Sequence, residues 1–179
     1  MKFWSNSTLD PKRRYRFILN MGNIPVWVIK TANKPKVSVN SIEHVFLNHT
    51  FKYPGRATWD PISITLVDPL DPDMAKTMME RFKASGYQEP VSQDKRGTIS
   101  KAASVKNGLI GLSISQIDGE GEIVETWKLE NPWISSIDFG GALDYTSDDM
   151  VEITVEIVYD YATVTTTGNA VKYAVGKSG

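Results

Sequence analysis

Residues 127–162 read WKLENPWISSIDFGGALDYTSDDMVEITVEIVYDYA, and the last third of this stretch decides the fold. Between Met150 and Tyr159, the residues Val151, Ile153, Val155 and Ile157 fall on one side and Glu152, Thr154, Glu156 and Val158 on the other. A period of two built from β-branched residues belongs to a strand with one buried face and one wet, acidic face. Upstream, Trp133–Phe139 reads as a second, less regular strand. Gly140-Gly141 and Ser147-Asp148-Asp149 supply turn residues between the two. The unit is two strands returning on each other.

The rest of the chain extends this pattern. Arg14–Leu19 reads as a first strand, Gly22-Asn23 as a turn, and Ile24–Lys30 as extended chain broken at Lys34-Pro35. Lys36–Ile42 alternates, with Val37 and Val39 in phase. Ile62–Asp68 is a clear strand with Ile62, Ile64 and Leu66 inward. A helix is expected over residues 72–85. Asp71 is placed to cap it, Pro72 suits its first turn, Asp73 complements its dipole and Gly86 ends it. Its apolar face is Met74, Ala75, Met78, Met79 and Phe82, and such a methionine stripe is a core feature before it is a binding groove. Residues 87–106 read as a loop. Leu109–Ile117 and Glu122–Leu129 read as a hairpin about Asp118-Gly119-Glu120-Gly121, whose acids lack the spacing of a calcium loop. Together these elements predict a mainly β fold of about seven to nine strands, in two packed antiparallel sheets or a partly closed β-barrel, with one flanking α-helix. The domain is expected over residues 14–162, with an arm over residues 1–13 and a small-residue tail over residues 163–179.

Residues 43–59 stand apart. They hold Phe46, Leu47, Phe51, Tyr53 and Trp59 among two histidines and basic Lys52 and Arg56, without a stable period, and Pro54-Gly55 marks a turn. Two readings are open: a hairpin with its aromatics in the core, or a projecting arm whose aromatics another subunit covers.

At 179 residues the chain is long enough for one domain with a proper core. It has no cysteine, which excludes disulfides and thiolate metal sites. No apolar run approaches a membrane span, and Met1–Asn6 lacks the apolar segment of a signal peptide, so folding in a cytosol is expected. The net charge of −1 conceals a polarity. Residues 1–59 carry +8, 60–106 carry zero, 107–162 carry −11 and the remainder +2. Either distant segments pair within one molecule, or a basic and an acidic surface favour head-to-tail association.

Little points to catalysis. His44 and His49, the only histidines, are five apart, which on a single strand puts them on opposite faces and misses helical metal spacing. There is no phosphate loop, nucleophile elbow or HExxH motif, and no carboxylate pair is marked for acid–base work. No catalytic residue, metal or cofactor is expected, and no nucleic-acid recognition helix is evident.

The run Trp127…Asn131-Pro132-Trp133-Ile134…Asp138…Gly141…Leu143-Asp144-Tyr145-Thr146-Ser147-Asp148…Val151-Glu152-Ile153…Tyr159-Asp160-Tyr161-Ala162 resembles the C-terminal half of tail tube proteins of contractile-tailed, T4-like bacteriophages. Phe51-Lys52-Tyr53-Pro54-Gly55…Trp59-Asp60-Pro61-Ile62-Ser63-Ile64-Thr65…Asp68 is similar to the matching N-terminal signature. The resemblance implies hexameric rings, with sheets joined across subunits, stacked into a virion tube that conducts DNA. Its partners would be further copies, the tail sheath and the baseplate. It favours the projecting-arm reading for residues 43–59. On that reading the aromatic and apolar Phe46, Leu47, Phe51 and Tyr53, costly to leave in water, and the basic Lys52 and Arg56, suited to an interface rim, are the expected inter-subunit contacts. Basic Arg13, Arg14, Arg16, Lys34 and Lys36 would meet acidic Asp144, Asp148 and Asp149 across subunits, and Glu152, Thr154 and Glu156 would face the lumen. A baseplate tube initiator and a type VI secretion tube protein are alternatives within that fold. A carbohydrate-binding β-sandwich stacking sugars on Trp4, Trp27 and Trp59 is an alternative outside it.

Overall fold

The computed structural model describes residues 11–166. Among these residues, ten strands form two four-stranded antiparallel sheets and one separate hairpin. The first sheet runs in the order β1 (Phe17–Asn20), β6 (Ser113–Ile117), β7 (Ile123–Glu130) and β10 (Tyr161–Thr165). The second runs β2 (Ile29–Ala32), β5 (Ile62–Val67), β9 (Glu152–Val158) and β8 (Trp133–Asp138). Strands β3 (Lys36–Phe46) and β4 (His49–Asp60) pair only with each other. The sheets stay open, so the fold is a two-sheet sandwich rather than a closed barrel.

Both sheets and the helix feed one core. Ile62, Ile64 and Leu66 from β5 and Ile153, Val155 and Ile157 from β9 are essentially inaccessible. They join Leu19, Ile114 and Leu129 of the first sheet and Met74 and Met78 of the helix. The alternation read in residues 150–159 is therefore the alternation of a central strand, β9, flanked by β5 and β8. Helix α1 spans Met74–Ala84. Its cap is Asp73, not Asp71: the Asp73 carboxylate accepts from Lys76 N at 2.8 Å, and Asp68 Oδ1 accepts from Met74 N at 2.9 Å. Gly86 ends the helix at φ +106, where an added Cβ would meet the Thr98 carbonyl at 2.5 Å.

Four other expectations change. Residues 101–108 are helical, a short α-turn (α2, Lys101–Ala103) running into a π-turn, so the predicted loop ends at Ser100, whose hydroxyl caps Ala103 N at 3.1 Å. Strand β6 begins at Ser113, because Leu109 and Leu112 bury themselves as a three-residue step around Gly111 at φ +67. Thr163–Thr165, expected in a tail, continue β10 against β7; the remaining tail residues lie outside the described region. Lys12 and Arg13, expected in an arm, pack on the first sheet: the Lys12 amine binds the Glu125 carboxylate and the Arg13 carbonyl accepts from Gln116 Nε2. Residues 1–10 lie outside the described region.

Candidate assembly surfaces

The β3–β4 hairpin is an exposed element that stands apart from both sheets. Eleven and twelve residues long, its strands leave the sandwich at Lys36 and Asp60. The root is anchored: the Trp59 ring lies 6.0 Å from the buried Tyr159 ring, and Lys36 Nζ reaches Asp60 Oδ2 at 2.7 Å. Beyond the root, every residue from Asn40 to Tyr53 is exposed. The turn falls at Leu47-Asn48, with Leu47 at φ +51, and not at Pro54-Gly55. Pro54-Gly55 instead belongs to a β-bulge. Val39 pairs with Ala57 and Ser41 with Pro54, so Asn40 faces two residues, Gly55 and Arg56. An added Cβ on Gly55 would sit 2.8 Å from the Asn40 carbonyl oxygen, so the bulge requires glycine there.

Past the bulge the register sorts side chains by chemistry. Ile42, His44 and Phe46 share a face with their partners Tyr53, Phe51 and His49. The opposite face carries Ser41, Glu43 and Val45 with Pro54, Lys52 and Thr50, including a Glu43–Lys52 ion pair at 3.3 Å. The expected contact residues Phe46, Leu47, Phe51, Lys52, Tyr53 and Arg56 all lie on this hairpin, but Lys52 faces away from Phe46, Phe51 and Tyr53. The two histidines occupy one face, not two, because the turn folds His49 back beside Phe46. Ile42 and the histidines belong to the apolar face and were missed, because its phase depends on the turn position.

The charged residues are more self-engaged than their sequence segregation suggests. Glu125 is 7% exposed and binds Lys12, Lys34 Nζ at 2.6 Å and Trp127 Nε1 at 2.5 Å. Burial pushes its carboxyl up, yet these three donors outweigh burial and bring it down to about 2. Sequence did carry a signal here, since Glu125 is in phase with inward Trp127 and Leu129. Lys36 is held by Asp60, and Lys30 by Glu152. Arg16 stacks over Tyr15 at 5.6 Å, and Arg13 and Arg14 are exposed beside it. Asp144, Asp148 and Asp149 all lie in the exposed loop 139–151. Thr146 donates its amide and its hydroxyl to Asp144, at 2.9 Å each, and holds that carboxyl below its ordinary range.

Glu152, Thr154 and Glu156 line the outer face of the second sheet. Their cross-strand neighbours are Val67, Thr65 and Ser63 on β5, with Asp138 and Ser136 on β8. The Ser135 and Ser136 hydroxyls donate to Glu156. The face is thus short, hydroxylated and acidic. Among the described residues no three His, Asp or Glu side chains gather as a metal ligand set. Asp118 spends its carboxylate accepting from Glu120 N and Glu122 N, at 2.9 and 3.0 Å, within a hairpin turn. Trp27 is exposed while Trp59 packs on Tyr159, and Trp4 lies outside the described residues.

No known family profile matches this sequence, and no curated protein matches it. Solved structures do share its fold. The anti-feeding prophage cap, a tube-terminating cap, is similar at 20% identity over 90% of this chain and 95% of that chain, with a TM-score of 0.64. A chain of the PVC sheath/tube terminator in the extended state is similar at 18% identity over 89% and 99%, with a TM-score of 0.63. A chain of the PVC sheath–tube complex, from an extracellular contractile injection system, is similar at 18% identity over 87% and 92%, with a TM-score of 0.59. The fold is tail-tube-like, and the likeness lies with contractile injection systems without singling out T4-like phages.

Proposed function

We propose that this chain is a structural subunit that polymerises as stacked rings into the inner tube of a contractile particle. The observation that carries the reading is the hairpin. A tail-tube-like sandwich holds out a two-stranded arm with Ile42, Phe46, Phe51 and Tyr53 on one face, each about half to two-thirds exposed. Burying such side chains is worth roughly 1.5–3 kcal/mol each, so an arm that leaves them this exposed in its own subunit is built to be covered by another. Open edges on both sheets add the same pressure, since pairing across subunits removes them.

In this reading the rings are hexameric and the outer face of the second sheet, with Glu152, Thr154 and Glu156, faces the lumen. An acidic, hydroxylated wall suits passage of a polyanion, because like charge suppresses binding by counterion release. Sheath and baseplate components are the remaining partners, and a DNA-conducting phage tail is the proposed setting. A second reading, a terminal cap on such a tube, is supported by the fold likeness to the prophage cap. Light scattering and negative-stain microscopy of the purified protein separate the outcomes. Long tubes support the repeating subunit, single rings support the cap, and monomers at every concentration and salt oppose both.

A further inference from the structure

The sandwich carries a groove of about 1090 Å³ along the edge strands β1 and β2, where the two sheets part. Arg14, Lys30, Lys34 and Lys36 line it together with the apolar surfaces of Tyr15 and Phe17. The groove keeps a positive surplus despite internal pairing. Four cations line it and Lys12 adds a fifth through Glu125, against three carboxylates, Asp60, Glu125 and Glu152. Loop 139–151 is its complement. It projects Asp144, Asp148 and Asp149, and it exposes Leu143 by 85%, Tyr145 fully and Met150 by 68%. None of its residues lines the groove of its own subunit; the loop instead borders a separate depression made of its own residues.

We infer that loop 139–151 of one copy docks in the β1–β2 groove of the next, with its aspartates on the lysines and arginine and Tyr145 against the apolar floor. Position supports this as much as charge. The groove follows β2, one edge of the second sheet, while the loop joins β8, the opposite edge, to β9. Surfaces on opposite edges make a heterologous contact, which propagates or closes a ring and does not stop at a twofold dimer. The inference rests on the assembly reading above and gives it a specific contact.

The absence of cysteine makes the test direct. Asn33→Cys places a thiol in the groove and Ala142→Cys places one in the loop, both at exposed positions. The two single variants, mixed and oxidised, are expected to give a cross-linked heterodimer absent from either alone, and the double variant a ladder. Asp144→Lys/Asp148→Lys/Asp149→Lys should raise the concentration needed for assembly about tenfold or more. Adding Arg14→Glu/Lys30→Glu to the same chain should recover most of that loss. Tubes or rings that form without the cross-link and without compensation overturn the docking but leave the assembly reading standing. A cross-link confined to the monomer shows the loop filling its own groove and overturns the docking too. Monomers throughout overturn both.

Discussion

Glu125 joins three parts of the chain that meet nowhere else in sequence. Lys12 precedes the first strand, Lys34 precedes the hairpin and Trp127 shares β7. With its carboxyl held near 2 in the folded protein against 4.5 for an ordinary glutamate, the cluster stabilises the fold fully above about pH 4.5. That contribution is lost as pH falls from there towards 2. The two lysines are nearly half exposed and regain water when Glu125 is removed, so Glu125→Gln is expected to cost about 2 kcal/mol rather than the full penalty of a buried orphan charge. Thermal melts at pH 7 and pH 3 check this. The variant should melt about 5 °C below the parent at pH 7, with the gap narrowing at pH 3. Gly55 is a second position where one atom decides geometry. Gly55→Val forces a methyl-bearing carbon onto the Asn40 carbonyl. It should leave the sandwich's melting nearly unchanged and abolish assembly, since the bulge sets which face carries the aromatics.

Strands β5 and β9 were legible because each sits in mid-sheet with one face on the core, so burial imposed a period of two on Ile62–Val67 and Glu152–Val158. The hairpin shows what hides an element. Its turn at Leu47-Asn48 and its bulge at Gly55-Arg56 each shift the phase, so Phe46 shares a face with Phe51 and Tyr53 although their positions differ in parity, and Pro54-Gly55 imitates a turn. Strand β10 was hidden for another reason. As an edge strand with Tyr161 and Val164 about half exposed, it needs no apolar pattern and takes its register from β7. Of the proposed contact residues, those on the hairpin were readable as a group, while their division between two faces was not. Because Phe46 and Phe51 lie outside the core, Phe46→Ser/Phe51→Ser should shift monomer stability by no more than about 0.5 kcal/mol. The same variant should prevent assembly. A denaturant titration paired with sedimentation velocity reads both, and an unfolded variant would place these aromatics in the subunit's own core.

At the scale of the whole molecule, the proposed assembly divides its contacts among three surfaces: the aromatic hairpin, the groove with its complementary loop, and the acidic outer face of the second sheet. The segregation of charge along the sequence is partly spent inside the subunit, as Lys12, Lys34 and Lys30 show, and the proposed docking uses the remainder. Glu152→Lys/Glu156→Lys should leave folding largely unchanged, because this face is wet and the Lys30–Glu152 pair is exposed, while making the tube bind double-stranded DNA in a salt-dependent manner. A filter-binding titration at low and high salt detects the change, and unaltered DNA binding would remove these residues from the lumen. Whether the hairpin is an assembly arm is read from a cryo-EM reconstruction of the protein's own assemblies. Stacked rings in which a neighbouring subunit buries Ile42, Phe46, Phe51 and Tyr53 are expected; rings whose hairpins stand free in solvent, or a protein that stays monomeric at every concentration, would rule the arm out.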